Sequence, residues 1–501
     1  MNKKILLSVF SNWANLLTTV VLAFIVSPIL IRQLGNETYG IWILIISVTS
    51  YFTVLDFGVN TAIVRYVSKY TALKDSLKTN EVYSSSFGLF SIIALVVIMF
   101  TLIFAYFFKD LFSITTFSQT YLYLVFLIVG IDLAANLVFS VFMGTMKGLQ
   151  RFLEVNMIVI GCNILKNIIL ISLLLNGHSL LSMALLQLSI NAIKFLLQYY
   201  VIRSKHPTIK ASLTTINKPT IYKLYNYSIY SFAIAIATKI LFYTDSVVIG
   251  AVLDVSQVTF YTIASMLTQY LEQFIWAIVV VFIPIISAKD AKGEKNKSKL
   301  YVIGSKYSML LCTPVIIVLL LNGDRFIALW MGEDYAETSG NVLKVLLVAY
   351  LFSLSQLIAH GILKGISKHK ALAYILCIEA IINLFLSLYL AQYYGIIGVA
   401  LGTVIPMVIV NLFILPYYTC SVLNIGFFRY FITKQIPPIL SFGLFLAFYY
   451  WLNISIDSYF SLFSYSILVA VTYYSYAFIV HLEKVHRGLI YQQARKRLNY
   501  V

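Results

Sequence analysis

Apolar runs of about twenty residues recur down the whole chain, each ended by a short polar break. "SNWANLLTTVVLAFIVSPILI" (11–31) stands near the start and "FSYSILVAVTYYSYAFIV" (463–480) near the end. Wound as an α-helix, a run of this length matches the hydrocarbon thickness of a bilayer. The pattern predicts fourteen spans, over 8–31, 40–63, 84–108, 119–143, 155–175, 179–202, 225–252, 258–286, 303–321, 340–362, 371–391, 394–419, 436–453 and 460–481. The opening "MNKKILLSVF" reads like a signal peptide. With no convincing small-residue cleavage site after it, the first run is expected to stay as a spanning helix. The fold class that follows is an all-α polytopic membrane protein.

Polar residues interrupt these runs at helical spacing. In the sixth, Gln187, Asn191, Lys194 and Gln198 share one face, and in the fifth Asn156, Asn163, Lys166 and Asn167 do so. Ser8, Asn12, Asn15 and Thr19 form the same stripe in the first run. Asp132, Asn136 and Ser140 lie in the fourth, Ser265, Gln269 and Glu272 in the eighth, and Glu379 and Asn383 in the eleventh. Stripes on so many helices predict a shared, hydrated central cavity. For any single amide, an interhelical hydrogen bond that holds the bundle together is the competing expectation.

Composition strengthens the membrane reading. Of 501 residues, 60% are hydrophobic and 11% charged, and the mean hydropathy is +0.89; a soluble domain of this size carries far more surface charge. The net charge of +17 would suit a nucleic-acid binder, but basic loops on the cytoplasmic side explain it first. With the N-terminus placed in the cytoplasm, 29 Lys and Arg fall on that side, three (Arg32, Lys109, Arg325) fall outside, and four (Lys166, Lys194, Lys239, Lys344) lie within spans. That asymmetry puts both termini in the cytoplasm. Cys162, Cys312, Cys377 and Cys420 all sit in apolar runs, at spacings that match no metal site or disulfide framework.

One phrase occurs twice. "GTMKGLQR" (144–151) and "GILKGISK" (361–368) both read G-x-x-K-G-x-x-(R/K), after the fourth and tenth spans. Six spans separate them, so both copies face the same side, as in a parallel repeat. "LGNETYGIW" (34–42) and "LDVSQVTFY" (253–261) correspond at almost the same offset. The expected organisation is a six-helix lobe over 1–205, a basic linker over 206–223, a second six-helix lobe over 224–420, and two further helices with a basic tail over 421–501. In each copy of the phrase, Gly is expected to permit the turn and Lys to fix orientation. Pro314 and Pro406 are expected flexing points, and Gly398 and Gly402 a close-packing face.

Ionisable groups inside spans are costly and mark function. Lys166, Lys194 and Lys239 are expected to line a path for an anionic substrate, with Asn163, Gln187 and Asn191 as amide donors beside them. Asp245, Glu272 and Asp132 are the candidates for coupling to an ion. Asp245 and Glu272 have a second expected role, pairing with Lys239. No metal or cofactor is expected.

The stretch "LGNETYGIWILIISVTSYFTVLDFGVNTAIVRYVSKY" (34–70), the doubled phrase and "YYGIIGVALGTVI" (393–405) resemble the Wzx-type polysaccharide flippases of the multidrug/oligosaccharidyl-lipid/polysaccharide exporter superfamily. The likeness runs through most of the chain on loose Gly, aromatic and charge positions. It implies two six-helix lobes with two extra helices, and transfer of undecaprenyl-diphosphate-linked O-antigen or capsule repeat units across the bacterial cytoplasmic membrane by alternating access. It also implies membrane lipids, a polysaccharide polymerase and a chain-length regulator as partners, and no nucleic acid. A diphosphate-linked sugar would account for the lysines, since cations and amide donors offset its lost hydration.

Three other readings make different demands. Multidrug exporters of the superfamily typically use an acidic residue in the first helix, and the first span here has none. Lipid II flippases place arginines in the first two helices, whereas here Arg32 and Arg65 lie at span ends. A glycosyltransferase or polymerase needs acidic groups on sizeable loops; the outer loops are short and no D-x-D occurs. The chain is therefore expected not to be an enzyme.

Overall fold

The computed structural model describes residues 3–291, 297–366, 368–454, 456–482 and 487–488. The helices in chain order are α1 (Lys3–Phe52), α2 (Val59–Ala72), α3 (Ser76–Leu111), α4 (Gln119–Gly148), α5 (Phe152–Leu175), α6 (Leu180–Lys205), α7 (Lys218–Val252) and α8 (Val255–Ala291). They continue with α9 (Lys297–Trp330), α10 (Ala336–Gly365), α11 (His369–Ile409), α12 (Leu415–Val422), α13 (Phe427–Tyr430), α14 (Ile436–Leu452) and α15 (Tyr459–Val480). No strand occurs among the described residues. In lipid every backbone N–H and C=O must be satisfied within the segment, and the helix meets that demand locally.

Among the described residues, eleven helical segments are long and apolar enough to cross a membrane, and two of them, at 47 and 53 residues, are each long enough to cross twice. The chain is a multi-pass membrane protein. Both long segments break at a glycine: Gly35 (φ 76°) in α1 and Gly395 (φ 57°) in α11. These left-handed conformations cost little only without a Cβ. After Gly395 the chain folds back on itself so tightly that a Cβ on Gly398 would lie 2.1 Å from the Leu390 carbonyl oxygen. One on Gly402 would lie 2.5 Å from the Ser387 amide nitrogen. The expected close-packing face is therefore real, and it packs the second half of α11 on the first.

The expected second span is interrupted. α1 ends at Phe52, a 3-10 turn covers Thr53–Asp56, and Phe57 and Gly58 are both left-handed before α2 begins. Asp56 Oδ1 accepts from the Asn60 amide at 3.3 Å, satisfying one of the orphan donors at the start of α2. Elsewhere polar side chains cap helix starts: Asp75 accepts from the Lys78 amide before α3, and Ser458 forms a capping box with Ser461 before α15.

In the first copy of the doubled phrase, the glycine serves packing and not the turn. A Cβ on Gly148 would lie 2.8 Å from the Val67 side chain, so it lets α4 approach α2, and the left-handed turn residue is Gln150 (φ 59°). Of the expected flexing points, Pro314 lies in unbroken helix, and α9 breaks at Asn322 (φ −132°), while Pro406 is followed by a π turn over Val410–Ile414.

The chain divides into two compact units, one of Met1–Thr262 with His369–Thr403 and one of Ile263–Lys368 with Val404–Val501. In the first unit α3 packs on α4, α4 on α6, α6 on α5 and α5 on α1. In the second, α9 packs on α10, α14 and α15, around an aromatic core with Tyr449, Tyr465 and Tyr473.

Candidate functional site

The first unit holds a polar cluster built from α4, α5 and α6. Asp132 on α4 is 3% exposed. Its carboxylate accepts from Gln187 Nε2 at 3.2 Å and from Asn191 Nδ2 at 2.8 and 3.0 Å, both on α6. Asn191 Oδ1 in turn accepts from Lys194 Nζ at 2.6 Å, and Asn136 Oδ1 lies 3.5 Å from the same ammonium. Helical spacing explains the grouping, because Gln187, Asn191 and Lys194 stand on one face of α6 opposite Asp132 and Asn136 on one face of α4. Lys166 on α5 is half-buried, interacts electrostatically with Asp132 and Lys194, and has no hydrogen-bond partner among the described residues. Asn163 lies one turn before it, its backbone carbonyl accepting from Asn167 Nδ2 at 2.8 Å.

Five of the nine expected site residues, Asp132, Lys166, Gln187, Asn191 and Lys194, therefore meet in one cluster. Two cations and one carboxylate leave it net positive, with amides filling the hydrogen-bond positions between them. Such a set can hold a polyanion through charge-assisted hydrogen bonds. A further stripe residue, Asn156, serves instead to join helices. Its Nδ2 donates to Ser11 Oγ at 2.9 Å and Asn12 Oδ1 at 2.6 Å, tying α5 to α1.

Asp245 on α7 forms a second cluster in the same unit. It is 4% exposed and accepts from Tyr261 Oη at 2.5 Å, Thr403 Oγ1 at 2.8 Å and Ser387 Oγ at 3.4 Å. Asn383 Nδ2 donates to Thr403 Oγ1 at 2.8 Å, while the buried Asn383 Oδ1 receives no hydrogen bond among the described residues. The expected Asp245–Lys239 pair does not form. Six residues apart on one helix, they point to different faces, and the Lys239 ammonium stacks 4.7 Å from the Tyr243 ring centroid. No cation pairs with Asp245 among the described residues. A buried carboxylate ringed by hydroxyls is an arrangement that suits a hard cation, or a carboxyl that carries a proton. Sequence reading singled out Asp245 and Asn383 but missed Tyr261, Ser387 and Thr403. The signal available was Asn383 and Ser387 at i, i+4, with Thr403 returned beside them by the Gly395 reversal.

Glu272 lies in the second unit, half-buried on α8, with no partner among the described residues. Lys364, from the second copy of the doubled phrase, stacks 4.8 Å from the Trp276 ring in that unit. At the other end of α5 and α6, Glu154 accepts from Arg151 at 3.1 Å and Lys205 at 2.9 Å. His206 sits beside this trio. Burial first, then the charges of Arg151 and Lys205, hold its imidazole below the ordinary value, with Glu154 opposing them.

The family described as polysaccharide biosynthesis protein matches residues 5–289. A putative O-antigen transporter of Shigella flexneri is 24% identical over 400 residues, covering 78% of this chain and 93% of its own length. A probable low-salt glycan biosynthesis flippase of Haloferax volcanii, Agl15, is 26% identical over 218 residues, 43% of this chain and 46% of that protein. Among solved structures, the lipid II flippase MurJ aligns with a TM-score of 0.72 at 16% identity, over 95% of this chain and 99% of its own. An inward-facing MATE family multidrug resistance transporter of the MOP superfamily aligns at 0.67, with 16% identity over 81% and 95%. At such identities these two likenesses are of fold alone.

Proposed function

The chain belongs to the polysaccharide biosynthesis protein family, and from that premise we propose that it is a Wzx-type flippase for lipid-linked oligosaccharide. In this reading it moves repeat units joined to a polyprenyl diphosphate across the bacterial cytoplasmic membrane, with both termini in the cytoplasm. The observation that carries the proposal is the Lys166–Lys194 cluster within membrane-crossing helices. Two ammonium groups at that depth are costly unless they serve an anion, and amide donors beside them suit a phosphate that has shed its water. The names of the Shigella and Haloferax relatives support the same substrate class. Lys239 extends the cationic path along α7.

Transport is by alternating access between two six-helix lobes, over 1–205 and 224–420, with Asp245 as the coupling group. A buried carboxylate ringed by hydroxyls suits a site that takes up and releases a cation. Glu272 is a second coupling candidate. The lipid tail stays in the bilayer while the headgroup crosses. Polymerase and chain-length regulator act on the product outside.

Deleting the gene tests the function. Lipid-linked repeat units should accumulate facing the cytoplasm and surface polymer should disappear. Normal polymer in the deletion strain would overturn the proposal.

A further inference from the structure

A buried carboxylate is out of place in a path that must attract an anion, yet Asp132 stands in the middle of the lysine cluster. Its placement is specific. No ammonium touches it among the described residues; its oxygens are filled by the carboxamides of Gln187 and Asn191. One cation, Lys194, is one group away. Asn191 donates its N–H to Asp132 and accepts from Lys194 with its carbonyl oxygen, so a single amide is polarised between the negative and the positive charge. That arrangement fixes the amide's orientation, since the carboxylate only accepts and the ammonium only donates. Asn136 closes the ring, donating to the Asp132 backbone carbonyl at 2.8 Å and facing Lys194 with its oxygen. Lys166, within electrostatic reach of both charges, has no hydrogen bond of its own among the described residues.

We propose that Lys166 and Lys194 form a diphosphate-binding site and that Asp132 is its built-in counter-anion, holding Lys194 through Asn191 until the incoming anion replaces the Asn191 oxygen. This rests on the anion-path reading above and adds a role that path alone does not require. Without Asp132, two neighbouring ammonium groups would repel each other when the site is empty and bind a diphosphate too tightly to release it. With it, the empty site carries one net positive charge, and Lys194 exchanges one oxygen partner for another. Binding that is favourable enough to enter and weak enough to leave is what translocation needs. Asp132 acts through Asn191 and is a positioning residue.

The experiment uses the purified full-length protein and inorganic diphosphate as the probe, measured by equilibrium titration at low ionic strength. Transport of a short-chain polyprenyl-diphosphate sugar by the same variants in proteoliposomes is measured beside it. Wild type binds, and Lys166→Ala with Lys194→Ala together abolish binding. Asp132→Asn keeps the size and hydrogen bonding of the side chain and removes its charge. It should bind about tenfold tighter yet transport more slowly, a split that a merely structural residue would not give. Asn191→Asp sets a carboxyl directly on Lys194 that shares one proton with Asp132 across their 2.8–3.0 Å contact, holds the ammonium more firmly than an amide oxygen does, and should bind about tenfold weaker. Unchanged or weaker binding by a folded Asp132→Asn protein overturns the counter-anion role while leaving the anion path standing. If Asp132→Asn does not fold, Asn191→Asp decides, and unchanged or tighter binding there overturns the role equally. Wild-type binding that is absent, or that survives loss of both lysines, overturns the anion path and the inference with it.

Discussion

Asn191 Nδ2 lies 2.8 and 3.0 Å from the two carboxylate oxygens of Asp132, while its Oδ1 lies 2.6 Å from Lys194 Nζ. One side chain thus joins α4 to α6 and a buried anion to a cation. The relationship separates two jobs that polar residues do in membrane helices. Asn156 satisfies Ser11 and Asn12 and holds α5 to α1, whereas the Asp132 cluster leaves Lys166 with its donors unspent among the described residues.

The lysines follow a rank order. Lys166→Ala removes an ammonium with no competing hydrogen bond among the described residues, and should lower surface polymer about tenfold or more, as loss of a charge-assisted contact of about 1.5–3 kcal/mol requires. Lys194→Ala should cost about as much. Lys239→Ala should cost less, because its ammonium already spends part of its attraction on Tyr243. Polymer output in strains with matched expression is the readout. Full output from all three variants would refute the anion path.

Asp245 predicts a different signature. Asp245→Asn keeps the hydroxyl ring filled but removes the charge that a cation or proton needs. Transport in proteoliposomes should fall by about one to two orders of magnitude and lose its dependence on sodium and pH gradients, while diphosphate binding stays near wild type. Thr403→Val, which removes one donor to Asp245 and the acceptor of Asn383, should weaken ion dependence less. Gradient dependence that survives Asp245→Asn would remove Asp245 from coupling.

The helices were largely legible in the sequence because bilayer thickness imposes run length, and the stripe on α6 was legible because its period is that of a helix. Gly398 and Gly402 were readable as a packing face for the same reason. What lay hidden depended on tertiary return of the chain. Thr403 joins Asp245 only because Gly395 turns α11 back, and no local pattern announces that turn as different from the other glycines. The break at Thr53–Gly58 was hidden too, since "LDFG" is apolar enough to be read as uninterrupted span. The segments 34–42 and 253–261, paired by their offset in the sequence, pack on each other. Thr259 Oγ1 donates to the Asn36 carbonyl at 2.7 Å, and a Cβ on Gly40 would lie 2.2 Å from the Val255 oxygen.

His206 gives a pH dependence with a definite sign. Its folded value is depressed by burial and by Arg151 and Lys205, and its buried Nε2 has no hydrogen-bond partner among the described residues. Above the ordinary imidazole value, about 6.5, both folded and unfolded states are neutral and the stabilising contribution is fully present. As pH falls below it the unfolded chain takes up the proton first, and stability declines until the folded imidazole also protonates. Melting temperature should therefore drop more between pH 7 and 5 in wild type than in His206→Gln. Identical pH profiles would show that His206 is not the titrating group.

The segment after α6, expected to be a linker between lobes, is fastened along α3. Asn80 donates to the Thr208 carbonyl at 2.9 Å and accepts from the Lys210 amide at 3.1 Å; Ser84 accepts from the Ser212 amide at 3.0 Å and Thr215 Oγ1 at 2.7 Å; Ser85 accepts from the Asn217 amide at 3.0 Å. Glu81 accepts from Thr220 Oγ1 at 2.7 Å and from Asn217, and a Cβ on Gly88 would press on Ile216 at 3.1 Å. Positions 80, 81, 84, 85 and 88 are one face of α3, so the start of α7 is held to α3 by its own helical repeat. Ser84→Ala leaves the Ser212 amide and the Thr215 hydroxyl without that acceptor, at a cost of about 1–3 kcal/mol. Amide exchange across 208–217 should then accelerate about tenfold or more, with protection of α4 unchanged. Uniform exchange rates in wild type and variant would mean that the segment is held by something other than this face. If the fastening holds, the variant should also slow transport without altering diphosphate affinity, because it loosens the tie that carries α7, and Asp245 with it, relative to α3.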